Sequence, residues 1–561
     1  MINSNAYDAI VVGSGISGGW AAKELCEKGL KTLVLERGRK LDHITDYSTT
    51  NTPPWGFEHR GQISEEDRRK YPVASTVYAF NEGTRHLWIN ESENPYTTPE
   101  GQPYHWLRGD HVGGRSIMWG RQVYRWSDLD FEANAKDGIA IDWPIRYKDI
   151  APWYDYVERF IGVSGQAEGL RQLPDGQFLP PMEMNCVEKH AKQIIEDKWP
   201  ERRMTIGRTA NITVNHNGRV KCQHRNLCYR GCPYGAYFSS QSSTLPAAAS
   251  TGNMTLKPNS MVESVLYDRQ KDQVAGVRVI DAITNEITEY KAKVIFLCAS
   301  TLGTTQILLN STNDRFPNGL ANSSGELGQN LMDHQMGGAM GIVEGWEDSY
   351  YFGGRPNGIY IPRFRNIKEK HPDFIRGYGY QGRASRSAWE RGATQKGFGA
   401  EFKNSLTRPG PWTFGLHGFG ETLPNPKNKV TLNKATIDKF GLPALHIEVK
   451  YGENELNMRK DYKDSASEML EAVGVKNIIQ FDGFIIPGSA IHEMGTARMG
   501  HDPKTSVLNK WNQAHDIKNL FITDGSFMTS AGCQNPSLTY MAMTARAVDY
   551  CVKELKKGNI S

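Results

Sequence analysis

The sequence predicts an α/β protein in which a Rossmann-like domain is joined to a second domain built on its own sheet. Three observations predict this fold class. A strand, a glycine-rich turn, a helix and another strand follow one another within residues 7–38. A second strand–turn–helix pattern covers residues 293–309, and strand-like, aromatic-rich segments, including 350–352, occur within residues 336–486. The length of 561 residues agrees with more than one domain.

The N-terminal unit carries the most specific motif. Residues 9–12 are predicted to form a buried strand, and Gly13, Gly15 and Gly18 follow it as G-x-G-x-x-G. These glycines would make a tight turn, admit a pyrophosphate to the backbone and let helix and strand pack closely. Glu36 ends the second strand, near the position expected for an acid that binds a ribose 2′-hydroxyl. The unit predicts a dinucleotide site; Glu36 disfavours NADP, whereas FAD and NAD both fit.

Composition excludes some classes of protein. The formal net charge is +4, from 66 basic and 62 acidic residues, and no basic run indicates nucleic acid binding. No apolar run approaches the roughly 20 residues of a membrane span. The N-terminus has no export signal of its own, which favours the cytoplasm unless a signal-bearing partner exports the chain.

Changes in composition and patterning along the chain predict five segments. The first of them contains an irregular stretch at 45–105, which is a lid, an oligomer arm or a plain surface excursion, and the residues do not distinguish these. The predicted segments are a first part of the dinucleotide-binding domain at 1–160, a connecting or substrate-side segment at 161–209, a second part at 210–335 with a cysteine loop at 222–232, a substrate domain at 336–486, and a C-terminal part at 487–561.

Three cysteines fall within eleven residues. Cys222, Cys228 and Cys232 have the spacing C-x5-C-x3-C, and Pro233 follows the last one. Such thiolates can converge on one metal centre, and an odd number disfavours a simple disulfide pair. An iron–sulfur cluster is the preferred interpretation. Zinc with His224 as a fourth ligand, and no metal at all, remain alternatives.

The remaining candidates lie in a glycine-rich loop and in the C-terminal segment. Two adjacent glycines, Gly113 and Gly114, suggest close approach of the backbone to a flat ligand. Asp524 stands at the tip of a predicted strand. Asn535 precedes a proline and is predicted to be the N-cap of a long helix. The residues alone do not separate catalytic from structural roles for His492, Asp524 or Asn535.

In these motifs the chain resembles the glucose–methanol–choline (GMC) oxidoreductases, and the resemblance covers nearly its whole length. Within that family it looks most similar to bacterial FAD-dependent sugar dehydrogenase flavosubunits of the gluconate 2-dehydrogenase, glucose dehydrogenase and glucoside 3-dehydrogenase types, with pyranose oxidases as relatives. The motifs are Gly13-x-Gly15-x-x-Gly18 with Glu36, Gly113-Gly114-x-Ser116 before Trp119, Gly328-x-Asn330-Leu331-x-Asp333-His334, and His492 with Asn535-Pro536.

The resemblance implies roles for individual residues. His492 would be the catalytic base and Asn535 its partner. Met118 stands where pyranose oxidases attach their flavin through a histidine, so non-covalent FAD is expected. The implied cofactor-binding residues are Gly13, Gly15, Gly18, Glu36, Gly113, Gly114, Ser116, Trp119, Val262, Asp524 and Asn535.

The resemblance also implies a function. FAD would oxidise a secondary alcohol of a sugar or glycoside, a pyranose at C3, by hydride transfer to flavin N5. Cys222, Cys228 and Cys232 would hold a [3Fe–4S] cluster that passes electrons to a cytochrome c-type acceptor. A small signal-bearing subunit would place the protein in the periplasm by co-export; the cytoplasm is the alternative. An oxidase using O2 and a non-redox lyase with structural FAD are the competing functions, and an NAD-dependent dehydrogenase fits only the first motif.

Overall fold

The computed structural model describes residues 6–347, 349, 355–393, 395–483 and 485–560. The strand predicted at 350–352 lies outside these residues. The strands are β1 (Ala6–Val12), β2 (Thr32–Leu35), β3 (Val163–Ser164), β4 (Phe178–Leu179), β5 (Thr205–Ile206), β6 (Met254–Lys257), β7 (Ser260–Asp268), β8 (Gln273–Asp281), β9 (Ile287–Leu297), β10 (Gln335–Val343), β11 (Ile359–Ile361), β12 (Tyr378–Arg386), β13 (Trp412–Gly420), β14 (Lys429–Ile437), β15 (Pro443–Glu448), β16 (Lys476–Phe481) and β17 (Leu520–Ile522).

The α-helices range from one turn to almost six. They are α1 (Ile16–Glu27), α2 (Glu65–Lys70), α3 (Asp128–Phe131), α4 (Ala133–Asp137), α5 (Tyr147–Ile161), α6 (Cys186–Lys198), α7 (Thr244–Ser250), α8 (Thr301–Asn310), α9 (Gly399–Ser405), α10 (Glu453–Val473) and α11 (Ser537–Lys556). Within the described residues, no helix combines the length and the apolar character needed to cross a bilayer.

The first sheet has the order β6-β2-β1-β9-β8-β7, and β17 pairs with β9 beyond this path. Strand β1 pairs in parallel with β2 and β9, and Ile10 lies beside Leu33 and Ile295. Continuous apolar runs suit these strands because both faces are covered, as in other parallel sheets. The carboxyl ends of β1, β2, β9 and β17 meet at one edge, which is where open α/β sheets bind their ligands.

The second sheet is antiparallel, with the order β16-β10-β13-β12-β11-β5. One face packs on α6 and α10, where Tyr380, Leu416 and Tyr462 belong to one buried cluster. Because side chains alternate along a strand, Gln381 and His417 lie on the opposite face, toward the first sheet. That face is the wall beside the cavity described below: its Gln381 donates a hydrogen bond to Asn535, which lines that cavity.

The stretch 45–105 contains α2 and short 3₁₀ turns but no strand of either sheet. It builds a small apolar cluster in which Phe80 and Trp88 pack with Ile117 and Met118 of the glycine-rich loop. Val77 to Ala79 reach the cavity at the edge of the first sheet. The stretch therefore packs over the glycine-rich loop.

Candidate active site

A cavity of about 270 Å³ lies where the carboxyl ends of β1, β2, β9 and β17 meet. Nine of the eleven residues predicted to bind the cofactor line it, and so does His492; Gly18 and Gly113 lie behind the lining. The lining residues come from segments spread from Val12 to Tyr540. The cavity is therefore long and continuous, running from Glu36 to the His492 region.

The glycines of the first motif are required by close packing. A Cβ on Gly18 would lie 1.9 Å from the carbonyl oxygen of Gly13, and one on Gly13 would lie 2.4 Å from that of Cys298. Gly13 also has a φ of +93°, which disfavours a side chain. A Cβ on Gly15 would meet only Gly113 O, at 3.9 Å. The backbone at Gly15 therefore faces open space, as a phosphate cradle requires.

Glu36 is buried and holds the end of β2 to the turn after β1. Its Oε2 accepts hydrogen bonds from Ser14 N at 3.1 Å and from Ser14 Oγ at 2.6 Å, and its Oε1 accepts from Gly38 N at 2.9 Å. Burial raises the pKa of Glu36, against these hydrogen bonds. Ser14 Oγ also accepts a hydrogen bond from Gly113 N at 2.8 Å. Ser14, which the motif left as a variable position, therefore joins the two glycine-rich segments.

The loop from Gly113 to Trp119 is held closely against the first turn. Gly113 has a φ of +85°, and a Cβ there would lie 2.1 Å from Gln241 Nε2. Ser116 Oγ donates to Gly113 O at 2.6 Å and accepts from Ser240 N at 3.1 Å. The Trp119 indole donates to Phe238 O at 2.9 Å. These bonds present a rigid edge to the cavity.

Val262 of β7 and Asp524 after β17 lie on the cavity wall. The Asp524 carboxylate accepts hydrogen bonds from Ser526 and from Thr304. Burial raises the pKa of Asp524, whereas these donors lower it. A glycine cradle, an acid at the tip of β2 and a long cavity fit FAD, whose pyrophosphate would lie at the N-terminus of α1.

His492 and Asn535 meet at the far end of the cavity. Asn535 Nδ2 lies 3.2 Å from His492 Nε2, and Asn535 Oδ1 accepts a hydrogen bond from Gln381 Nε2 at 2.6 Å. Gln381 thus fixes the orientation of the Asn535 amide, so that its N–H group points to the imidazole. The pair can hold one hydroxyl group between a donor and an acceptor.

A second histidine sets the tautomer of the first. His334 Nε2 lies against Gly532 O, which can only accept, so this nitrogen carries the proton. His334 Nδ1 is then an acceptor, and His492 Nδ1, 2.8 Å away, must donate to it. A neutral His492 therefore has its lone pair on Nε2, next to Asn535. This is the nitrogen that would take a proton from a substrate hydroxyl.

Burial keeps both imidazoles neutral. It lowers the pKa of His334 to about 4. The pKa of His492 falls well below its ordinary value, first through burial and then through the charges of His334 and Arg115. His492 is therefore a free base throughout the neutral range.

The backbone around His492 is fixed by two acids. Asp333 accepts hydrogen bonds from the amides of His492 at 2.9 Å and Ala490 at 3.2 Å. Burial, followed by the charge of Glu493, raises the pKa of Asp333 to about 7. Glu493 forms an ion pair with Arg115 at 2.8 Å, which links the His492 segment to the glycine-rich loop.

The N-cap prediction for Asn535 is wrong. Helix α11 begins at Ser537 with Pro536 as the N-cap, and no side chain caps it. The Asn535 amide instead bonds to His492 and Gln381. Tertiary contacts therefore outweigh the local preference of asparagine for a cap.

The three clustered cysteines stay close in space. Burial and the neighbouring thiols Cys228 and Cys232 raise the pKa of Cys222, and Cys228 acts in the same direction on Cys232. None of the eight cysteines is in a disulfide. Within the ranges described, however, no group of three or more His, Cys, Asp or Glu side chains is placed to hold a metal ion. The arrangement fits neither an iron–sulfur cluster nor zinc with His224.

Sequence reasoning assigned no role to Ser14, His334, Gln381 or Arg115. Asp333 and His334 did carry a signal, since they belong to one of the motifs of the resemblance. Gln381 had none, because only the register of the second sheet brings it to Asn535.

Two family models identify the class of protein to which this chain belongs. The N-terminal model for GMC oxidoreductases matches residues 7–336, and the C-terminal model matches residues 424–544. The chain belongs to the GMC oxidoreductases, a family of FAD-binding enzymes that act on alcohol groups, and is an oxidoreductase.

Individual relatives cover almost the full length. The chain is 29% identical to 2-methyl-1,2-propanediol dehydrogenase of Mycolicibacterium austroafricanum, over 98% of this chain and 95% of the relative. It is 26% identical to the fructose dehydrogenase large subunit of Gluconobacter japonicus, over 98% of each chain. Among solved structures, an Aspergillus oryzae formate oxidase variant matches all of both chains with a TM-score of 0.59 at 14% identity. That likeness confirms the predicted fold.

Proposed function

We propose that the protein oxidises a secondary alcohol of a sugar or glycoside, with C3 of a pyranose as the reacting position. The contact between His492 Nε2 and the Asn535 amide carries the proposal, because it offers one acceptor and one donor to a single hydroxyl group. The name of the fructose dehydrogenase relative supports a sugar as the substrate. The position C3 rests on the family resemblance alone.

The residues divide the work of alcohol oxidation. Asn535 would hold the substrate oxygen, and His492 would take the hydroxyl proton as the carbinol carbon loses a hydride. FAD, when bound, supplies the hydride acceptor. Gly13, Gly15 and the N-terminus of α1 would hold its pyrophosphate, and Glu36 would hold its adenosine ribose. The rigid edge beside the flavin would be formed by Gly113, Gly114, Ser116 and Trp119. The flavin site would also be lined by Val262 and Asp524.

The experiment is an anaerobic panel of sugars mixed with the flavin-loaded enzyme. We expect pyranosides to bleach the flavin absorption and the product to carry its new carbonyl at C3 by NMR. A product oxidised at C1 or C2 rejects the position. A flavin that no sugar bleaches rejects the substrate class. Hydrogen peroxide formed on admitting air, without another acceptor, would assign the protein as an oxidase.

The route by which electrons leave the reduced flavin is a second proposal, and it rests on the resemblance of the sequence. A [3Fe–4S] cluster on Cys222, Cys228 and Cys232 would carry them to a cytochrome c-type acceptor, but the thiols as placed do not fit a cluster. Iron and acid-labile sulfide counts on anaerobically purified protein decide the matter: about three irons per flavin would support the cluster, and none would reject it.

A partner subunit and co-export to the periplasm complete the proposal. The fructose dehydrogenase relative is named as a large subunit, which supports a partner of the same kind here. Purification from the native cells, with assay of the periplasmic and cytoplasmic fractions, tests both points. A monomer found only in the cytoplasm would contradict them.

A further inference from the structure

The wall that faces His492 carries a cation without a partner. Arg383 lies on β12, two residues beyond Gln381, so both side chains point from the same face of the sheet. The Arg383 side chain is exposed. Across the part of the chain that the structure describes, its guanidinium makes no hydrogen bond or ion pair.

The position of Arg383 relative to the reaction follows from strand geometry. Gln381 contacts Asn535, and Asn535 contacts His492. Two residues along a strand span about 6.6 Å, so Arg383 lies one such step from Gln381, whose side chain contacts the hydroxyl-binding pair. That span is comparable with the distance across a hexose. A sugar whose reacting carbon lies at His492 would therefore place its far substituent near the guanidinium.

Space for such a substituent is present. The cross-strand neighbour of Arg383 is Gly415, which has no side chain to fill the gap, and the next strand places Met340 beside it, still 42% exposed. Farther along the wall, the His417 ring lies 4.9 Å from Phe481, and Phe419 lies 6.3 Å from His492. Among the residues that the structure describes on these strands, the wall thus combines apolar and aromatic side chains with the Arg383 cation, as suits a sugar ring that carries one charged group.

Tyr78 from the stretch 45–105 lines the cavity and lies within reach of the charge of Arg383. Tyr78 is 62% exposed, and its hydroxyl oxygen lies 3.3 Å from that of Tyr229. Burial nevertheless raises the pKa of Tyr78, and Arg383 is one of the charges that oppose this effect. Burial and then Arg383 lower the pKa of His417, also an exposed side chain, to about 4. Both side chains therefore lie within reach of the Arg383 charge.

We infer that Arg383 is an anion subsite and that the substrate is a sugar or polyol bearing a carboxylate or a phosphate ester. The inference rests on the proposed function and narrows its substrate class. A guanidinium can bind either group through two parallel N–H···O hydrogen bonds. Apolar and aromatic neighbours would strengthen that pairing by excluding water from it.

The test compares a neutral sugar with sugars that carry an anionic group at C6. Methyl glucoside, methyl glucuronide and glucose 6-phosphate are each mixed anaerobically with the flavin-loaded wild type, Arg383→Gln, Arg383→Lys and the surface control Arg269→Gln, whose side chain is 80% exposed. We expect Arg383→Gln to lower kcat/KM for an anionic sugar by about 10- to 100-fold. The same variant should leave methyl glucoside within about twofold, and Arg383→Lys should retain part of the preference. Whichever anionic sugar shows the loss identifies carboxylate or phosphate.

A binding measurement separates this inference from the proposed function. In dithionite-reduced enzyme no sugar can be oxidised, so calorimetry reports binding alone. If no sugar bleaches the oxidised flavin, the proposed function fails, yet tighter binding of an anionic sugar to wild type than to Arg383→Gln would still support the subsite. Equal binding of charged and neutral sugars, or equal losses for both in Arg383→Gln, would overturn it.

Discussion

At the scale of single residues, the reactivity of His492 is set by its neighbours. Gln381 orients Asn535, and Asn535 faces Nε2 of His492. His334 Nδ1 accepts a hydrogen bond from Nδ1–H of His492. Each hydrogen bond fixes which atom of the next group donates and which accepts. The lone pair of a neutral His492 therefore lies on Nε2, where a hydroxyl proton would be removed. His334 is therefore a positioning residue.

Replacing His334 tests that role. His334→Phe removes the acceptor for His492 Nδ1–H, and we expect the rate of flavin reduction by substrate to fall by roughly 10- to 100-fold, as is typical when an orienting partner is lost. His334→Gln can present a carbonyl to His492 and an amide to Gly532, and should recover much of the rate. Equal losses in both variants, with flavin content unchanged, would show that only packing matters.

The pH dependence follows from the lowered pKa of His492. The base must be neutral to act, so the rate is lost as pH falls through its pKa, not as pH rises. Because that pKa lies well below 6.5, protonation of His492 should not change the limiting rate of flavin reduction between about pH 6.5 and 8. Asp333, which accepts from the His492 amide, has a pKa of about 7, so anaerobic stopped-flow profiles are compared for the wild type and Asp333→Asn. An inflection above pH 6.5 that persists in Asp333→Asn would contradict the assignment of a neutral buried base.

Sequence reasoning reached part of this site. It selected Glu36, His492 and Asn535, because each follows a recognisable motif. It could not reach Gln381 or Arg383. Their position next to the site depends on the register of β12 against β13 and on how the second sheet faces the first, neither of which is written in local spacing.

At the scale of elements, the segment before α11 is the most informative. It supplies Gly532 O to His334 and the Asn535 amide to His492. Pro536 has a helical φ of −83° and starts the helix without help from a side chain. The asparagine is thereby released from capping and is available to a substrate.

This difference predicts a contrast between two asparagines at helix starts. Asn185 caps α6, since its side chain accepts from Glu188 N. Asn185→Ala should cost about 1 kcal/mol in the free energy of unfolding, with little effect on catalysis. Asn535→Ala should lower the rate of flavin reduction by tenfold or more and cost little stability. Denaturant unfolding and single-turnover kinetics on both variants are the measurements; the reverse pattern would restore the cap interpretation.

Strong patterns predicted elements well. The run at 9–12 lies in β1, and the strand–turn–helix pattern at 293–309 corresponds to the end of β9 at Leu297 followed by α8 at Thr301–Asn310. Helix α5 begins at Tyr147, where Asp149 and the Arg146 amide form a capping contact. The two-residue strand Thr205–Ile206 joins the second sheet from a segment without a clear pattern, because a strand so short has no periodicity to detect.

At the scale of the whole molecule, the cavity is built from segments that lie far apart in the chain. Three contacts join distant parts of the chain around it: Ser14 with Gly113, Arg115 with Glu493, and Gln381 with Asn535. A cofactor that binds this cavity only in the folded state must stabilise the fold.

Removal of FAD should therefore lower the melting temperature. At a free FAD concentration of about 1,000 times the Kd, binding contributes roughly 4.1 kcal/mol, and adding FAD back should restore Tm. FMN lacks the adenosine half that would reach Glu36, so it should restore less at equal concentration. An apoprotein with unchanged Tm, or equal rescue by FMN, would contradict the proposed placement of the cofactor.

The proposed oxidation of a sugar alcohol depends on His492 removing the substrate proton. The most direct measurement is anaerobic single-turnover flavin reduction, with a sugar that bleaches the wild type, in His492→Ala and in the exposed-histidine control His501→Ala. Loss of a general base should lower the rate by about 10²- to 10⁴-fold in His492→Ala, while His501→Ala keeps the wild-type rate. A loss of less than about tenfold in His492→Ala, with full flavin content, would contradict the claim.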